Sequence, residues 1–306
     1  MSSEPPALSV TGLYKKYGQF EVLKGLDLAL YPGAIYGLVG LNGSGKTTTL
    51  ECILGLQDFD RGEIRVLGHG PRKLHAAQGK IVAIFDTPSL NPNLTVRQSL
   101  RQALLLCDGA ARKPAEVEAQ LGITKFSDFK IKNLSLGNKR RASIAHALLA
   151  NPEIILLDEP FNGLDAGGVD EVLALIKDLN QKQGTSFLLS SHQLPYLEEI
   201  CSHIAILHDG QIAASDEKSR LLGSVQSTIR IQTNDNHRAA KIIGQQAGLS
   251  LQTNTSTDIL LVNSEKIGPA DINRQLVKQG LAVSEIVAER ASLDSLFRRI
   301  TQKPNP

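Results

Sequence analysis

Apolar positions in the first part of the chain fall in short clusters separated by turn residues. Residues 8–10, 26–31 and 34–39 form such clusters, and the last runs directly into a glycine-rich stretch, so strand, loop and helix are predicted in that order. A helical pattern follows over 47–56. Short apolar runs at 64–67 and 81–85 predict further strands, the second with Pro88 and Pro92 just beyond it. From about 95 to 150 the spacing turns helical. The runs 154–157 and 187–189 are too short for helices and suit buried strands. Between them, Val172, Leu175, Ile176 and Leu179 recur at helical spacing within 168–183. That order predicts a strand, helix, strand crossover and a mostly parallel sheet.

Past residue 222 the texture changes. Strands are expected at 224–234, 258–262 and 282–288, and helices at 236–247, 271–279 and 292–301. The chain therefore reads as an α/β domain over 1–222 followed by a small α/β accessory domain over 223–306, for which a ferredoxin-like order is expected.

With 306 residues there is enough chain for both cores. Charge narrows the partners: 33 basic against 31 acidic residues leave a net +2, without the basic excess of a nucleic-acid footprint or a polybasic membrane anchor. No nucleic-acid partner is expected. Cys52, Cys107 and Cys201 are widely spaced and form no CxxC pair, so neither a disulfide framework nor a zinc site is suggested, and a reducing cytosol fits. The N-terminal residues lack a signal pattern, and no apolar run approaches the roughly 18 residues of a membrane span. Any membrane role is expected to need a second chain.

The strongest chemistry lies in Gly40-Leu41-Asn42-Gly43-Ser44-Gly45-Lys46-Thr47, which satisfies G-x-x-x-x-G-K-[ST] between a predicted strand and a predicted helix. Glycines let backbone N–H groups converge on phosphate oxygens, and the helix N-terminus adds partial positive charge. Lys46 is expected to bridge β- and γ-phosphates and Thr47 to ligate Mg²⁺. Average residue frequencies would give this pattern by chance in roughly one per cent of chains this long, so an ordinary glycine turn is a poor alternative. A metal-bound triphosphate also needs a carboxylate on the metal and a group that orients water. Ile154-Ile155-Leu156-Leu157-Asp158-Glu159 supplies both: Asp158 for Mg²⁺, and Glu159, projecting the other way along a strand, for the water. His192 follows a further strand and two serines, at the same expected sheet edge, within reach of a γ-phosphate; a structural histidine is the plainer alternative.

The order of features is specific: the phosphate loop, then Leu134-Ser135-Leu136-Gly137-Asn138, then Asp158-Glu159, then Gly163-Leu164-Asp165, then His192. Over residues 8–222 it resembles the nucleotide-binding subunit of an ABC transporter. The resemblance implies a P-loop NTPase fold of ABC type, with a mostly parallel core sheet, an antiparallel β subdomain and a helical subdomain. It also implies ATP and Mg²⁺ as ligands, with residues 40–47 and Thr48 on the nucleotide. It further implies a head-to-tail homodimer or heterodimer in which Ser135 and Gly137 of one subunit meet the nucleotide of the other. A helix cap is the plainer role for that segment, and both roles are compatible. Tyr17 matches the aromatic that stacks on adenine, with Tyr14 as the competing candidate, and Asp165 matches the loop that communicates across the dimer.

Three positions depart from the family pattern. Asp86 stands where glutamine is usual and is expected to contact the site and reach the metal through water, an acidic choice reminiscent of the bacitracin- and lantibiotic-type exporters. Leu136 and Asn138 replace the commonest glycine and glutamine of the signature. The resemblance implies the ATPase subunit of an exporter, cytoplasmic and peripheral on the inner membrane face, driving a separate permease. Phe85, Leu90 and Leu94 are candidate contacts to that permease, with core packing as the alternative. The competing readings are a soluble ABC ATPase of translation or DNA repair, and a weakly hydrolysing nucleotide switch.

Overall fold

The computed structural model describes residues 5–77, 79–86, 90–106, 112–223, 227–245, 249–252, 260–264, 267–289 and 291–301. Pro88, Cys107 and the sequence-predicted element ends at 224–226, 247 and 258–259 lie outside these residues. The chain divides into two compact units, Met1–Lys218 and Ser219–Pro306.

In the first unit, β1 (Leu8–Tyr17) and β2 (Phe20–Leu30) pair antiparallel, and β3 (Ile35–Val39) leads to helix α1 (Lys46–Ile53). Strand β4 (Arg61–Val66) pairs with β1 and completes a three-stranded antiparallel sheet, β2-β1-β4. After β5 (Ile81–Ile84) come helices α2 (Val96–Leu106), α3 (Pro114–Gln120) and α4 (Leu136–Leu148), then β6 (Ile154–Asp158), α5 (Ala166–Gln183), β7 (Ser186–Ser191) and α6 (Leu194–Ile200). Strands β8 (His203–His208) and β9 (Gln211–Glu217) close the unit as a hairpin, and α7 (Lys218–Gly223) follows.

The six-stranded core sheet runs β5-β6-β7-β3-β8-β9, parallel throughout except for the edge strand β9. Its central strands β3, β6 and β7 are buried along their whole length, which is why they read as continuous apolar runs without alternation. One core joins the two sheets: Leu13, Leu23 and Leu26 of the antiparallel layer, Leu50 and Ile53 of α1, and Leu156 and Leu188 of the parallel layer are all fully or almost fully buried. Burying α1 between the layers fixes the direction of its N-terminus. Because β3, β7 and β6 are neighbours, the segments leaving their carboxyl ends converge at one edge, where ligands of open α/β sheets collect.

The second unit contains β10 (Ser227–Thr233), α8 (Asn236–Gly244), β11 (Leu249–Gln252), β12 (Leu260–Ser264), α9 (Pro269–Lys278) and β13 (Val283–Glu289), followed by α10 (Leu293–Thr301). Its antiparallel sheet has the order β11-β12-β10-β13, a β-α-β-β-α-β unit. Ile229, Ile231, Ile243, Val262, Ile272 and Leu276 form its own core.

Candidate functional site

The loop between β3 and α1 is held open by its glycines. Gly43 and Gly45 take φ of 81° and 106°, and a Cβ on Gly45 would stand 2.8 Å from Leu23 Cδ2. A Cβ on Gly40 would meet Ser44 Oγ at 2.4 Å and Leu207 O at 2.9 Å. Gly45 is also the N-cap of α1 and supplies no side chain to its first-turn amides. Those amides therefore face the loop, a ready anion site. Leu41 and Asn42 are exposed on the rim, and Thr47 and Thr48 lie in the first helical turn.

Lys46 is buried, and its ammonium bridges the loop to the next strand. It donates to Gly40 O at 2.8 Å and Leu41 O at 3.3 Å, and it stands 3.2 Å from Glu159 Oε1. Thr47 Oγ1 donates to Asp158 Oδ2 at 2.8 Å, while Ser190 Oγ donates to the other oxygen of Asp158. The paired register of Asp158 with Ser190 sets that contact.

Glu159 does not continue the alternation of the strand. Its φ of 45° places it in the left-handed region, and this turn brings its carboxylate to the same loop as Asp158. Extended geometry, as expected from the sequence, would have sent it the other way. Ser191 Oγ donates to Glu159 Oε2 at 3.0 Å, and His192 Nδ1 lies 3.0 Å from Oε1. Burial pushes the Glu159 carboxyl up, but the hydrogen bond from His192 and the charge of Lys46 outweigh it and hold it below the ordinary carboxylate range. Strained backbone at such a carboxylate is retained only where the surroundings over-determine it.

Asp86 follows β5 with its carboxylate half-exposed and 3.8 Å from the guanidinium of Arg140. Arg140 is fully buried and was missed by sequence reasoning, since nothing distinguishes it from Lys139 or Arg141 until the fold buries it. Ser190 and Ser191 likewise carry no signal in the sequence beyond their place before His192; their contacts to Asp158 and Glu159 come from the fold.

Ser135 is the N-cap of α4, and its Oγ accepts from Asn138 N at 3.4 Å and Asn138 Nδ2 at 3.0 Å. Asp165 is the N-cap of α5 and accepts from Gly168 N at 2.8 Å. Ser135, Gly137, Gly163 and Asp165 line a single open cleft of about 540 Å³ with Lys125 and Arg141. Tyr17, at the end of β1, is 45% exposed, with the Lys15 ammonium 4.8 Å from its ring centroid. Tyr14 instead packs beside Gly25 and carries the Arg61 guanidinium 4.7 Å over its ring.

A buried hydroxyl, Ser44 Oγ, has no hydrogen-bond partner among the described residues. Together with the glycine cradle, the Lys46 ammonium and the Thr47–Asp158 pair, this donor set fits a triphosphate with its metal.

The comparisons with known proteins point the same way. Residues 23–162 match the family described as "ABC transporter". The bacitracin transport ATP-binding protein BcrA of Enterococcus faecalis is 30% identical over 296 residues, covering 96% of each chain. The linearmycin resistance ATP-binding protein LnrL of Bacillus subtilis is 34% identical over 230 residues, 74% of each. A dimeric ATP-binding cassette solved in a post-hydrolysis state with ADP and Pi aligns at a TM-score of 0.62 and 26% identity, over 69% of this chain and 98% of that one. The chain belongs to the ATP-binding proteins of ABC transporters. It is a P-loop ATPase that binds ATP with Mg²⁺.

Proposed function

We propose that the chain powers an exporter: a dimer of ATPase subunits, homomeric or heteromeric, works on the cytoplasmic face of the membrane and drives a separate permease. The observation that carries the hydrolytic half is the seat of Glu159, a buried carboxylate held by Lys46, Ser191 and His192 beside the phosphate loop. Kept ionised below the ordinary carboxylate range, it is suited to accept a hydrogen bond from the attacking water and orient it toward a γ-phosphate. His192 fixes the rotation of that carboxylate, and Lys46 is the cation that meets the phosphates. Thr47 and Asp158 would hold Mg²⁺, with Asp86 reaching it through water, and the ion would supply positive charge against the phosphates.

The second half of each site comes from another subunit, whose Ser135 and Gly137 cap the γ-phosphate and whose Asp165 relays between the two sites. The shared cleft of Ser135, Gly137 and Asp165 supports that reading. Tyr17 is the adenine platform. Residues 1–222 are the ATPase domain in this scheme and 223–306 an accessory domain.

Export, rather than import, is favoured by the relatives named for bacitracin transport and linearmycin resistance. No described helix is long and apolar enough to cross a membrane; in this scheme the permease is a separate chain. A cavity of about 490 Å³ bordered by Val82, Ile84, Leu90, Ala103, His146 and Ala147 supports docking of that permease beside β5, α2 and α4.

The test is Glu159→Gln in the full-length chain. It is expected to bind ATP, stop turning it over and accumulate as an ATP-bound dimer on size-exclusion chromatography. Undiminished phosphate release by this variant would overturn the role of Glu159. Co-purification of the chain with a multi-span membrane protein tests the partner, and drug accumulation in cells lacking the chain tests the direction.

A further inference from the structure

Arg140 lies inside α4, with its side chain only 1% exposed. Its guanidinium donates from Nη1 to Phe85 O at 3.0 Å and from Nη2 to Asp86 O at 3.1 Å, the carbonyls of the first two residues beyond β5. The same Nη2 comes within 3.5 Å of Glu159 O and within 3.8 Å of Asp86 Oδ1. One buried cation thus spans three segments: the helix that starts at Ser135 and Gly137, the exit of β5, and the left-handed turn at Glu159.

This is a costly arrangement. A buried guanidinium is strongly desolvated, and burial pulls it below its ordinary value against the opposing charges of Asp86 and Asp158. Its Nε has no hydrogen-bond partner among the described residues. A residue kept merely to fill the space would be apolar, since a hydrophobic side chain of similar volume gives equal or better stability at such sites. The donors are instead aimed at backbone carbonyls that fix where Asp86 and Glu159 sit.

We propose that Arg140 is a positioning residue for hydrolysis, clamping the exit of β5 and the Glu159 turn to the signature helix, with Asp86 as its charge partner. The proposal rests on Glu159 being the carboxylate that orients water. A change in α4, where the second subunit's nucleotide is expected to bind, is carried by Arg140 to the carboxylate of its own subunit's site. Asp86 serves this clamp through the charge of its carboxylate, 3.8 Å from the guanidinium.

The test compares Arg140→Met, Arg140→Lys and Asp86→Ala, each alone, and the Arg140→Met/Asp86→Ala double variant, in the full-length chain. Displacement of a reacting geometry by about 1 Å is enough for roughly a hundredfold loss of rate. Arg140→Met is expected to lower kcat by ten- to a hundredfold while the Kd for ATP, measured with a fluorescent ATP analogue, stays within about twofold of the parent. Arg140→Lys, which keeps the charge and some donors, is expected to fall between them. Asp86→Ala is expected to lower kcat in the parent and to lower it by a smaller factor in the Arg140→Met background, where only its water-mediated reach to the metal is left to lose. Parental kcat in a folded Arg140→Met protein, equal losses of kcat and ATP binding, or full additivity with Asp86→Ala would each overturn the proposal. If Arg140→Met does not fold, the Arg140→Lys/Asp86→Ala cycle carries the same decision. Glu159→Gln keeps the two levels apart: turnover surviving in that variant removes the underlying reading, whereas its loss beside unchanged Arg140 variants removes only the clamp.

Discussion

The Lys46 ammonium stands 3.2 Å from Glu159 Oε1, so the cation expected to meet phosphate and the carboxylate expected to orient water are joined within one buried site. Incoming phosphate competes with Glu159 and two loop carbonyls for the same three N–H donors. Lys46→Met is therefore expected to weaken ATP binding and to lower turnover by about a hundredfold or more, the scale of losing one preorganised charge-stabilising donor. It also leaves Glu159 with one cationic neighbour fewer, so the carboxyl rises from its lowered position. Steady-state ATPase and nucleotide titration check both effects, and parental turnover in this variant would rule out the role.

Tyr17 is available where Tyr14 is not. Its ring is 45% exposed, whereas Tyr14 is held between Gly25 and the Arg61 guanidinium. If Tyr17 carries the base, Tyr17→Ala weakens ATP binding by about 1–3 kcal/mol and Tyr17→Trp restores it. Stacking does not read base edges, so GTP affinity falls in parallel. Thermal unfolding is expected to shift only slightly, because the ring lies at the surface and its described ring contact is the exposed-side Lys15 ammonium. An unaltered Kd in Tyr17→Ala would move the assignment elsewhere.

The phosphate loop, Asp158-Glu159 and His192 were legible because each is a short contiguous pattern at the end of an apolar run. Their convergence followed from the predicted parallel sheet, although the turn at Glu159 did not, since nothing in Asp-Glu-Pro announces a positive φ at the glutamate. Strands β1 and β2 extend well beyond the apolar clusters that revealed them, because their outer halves are partly exposed and polar residues there do not alternate cleanly. The hairpin β8–β9 was not predicted: β9 carries only Ile212 and two alanines as apolar residues, too few for a periodic signal. Arg140 illustrates a different limit. It meets Phe85 and Asp86 across more than 50 positions of sequence, and burial of one arginine among neighbouring cations is decided by tertiary packing alone.

Gly137 offers a clean test of assembly. A Cβ there would meet only Leu164 Cδ2, at 3.9 Å, so a larger residue fits the folded subunit. Gly137→Asp places a negative charge in the first turn of α4, where the helix dipole favours it, and directly where a γ-phosphate of a second subunit is expected. The variant is expected to keep its Tm and its monomer affinity for ATP, and to lose the ATP-dependent dimer when built into the Glu159→Gln background. Analytical ultracentrifugation with and without ATP reads the difference. A Gly137→Asp dimer as stable as its parent would exclude the trans contact.

The helical segment carries an acid-sensitive tie of its own. Glu118 is fully buried, bound by the Arg97 guanidinium and by Ser127 Oγ. Burial pushes its carboxyl up, but the hydrogen bonds from Arg97 and Ser127 prevail and hold it below the ordinary glutamate range. The unfolded chain therefore binds more protons at Glu118 than the native one once pH drops below about 4.3, the free-glutamate value. Stability from this group is present above that pH and is lost as pH falls toward the lowered native value. Arg97→Met leaves the carboxylate buried without its cation and is expected to cost about 3 kcal/mol at neutral pH, since breaking a buried pair exposes the desolvation of the survivor. With Arg97 gone the carboxyl rises toward or above its ordinary value, so the acid-side loss of stability flattens. Urea unfolding of parent and variant from pH 6 down to pH 3.5 measures both effects; parallel curves with a constant offset would show that Glu118 does not titrate against Arg97.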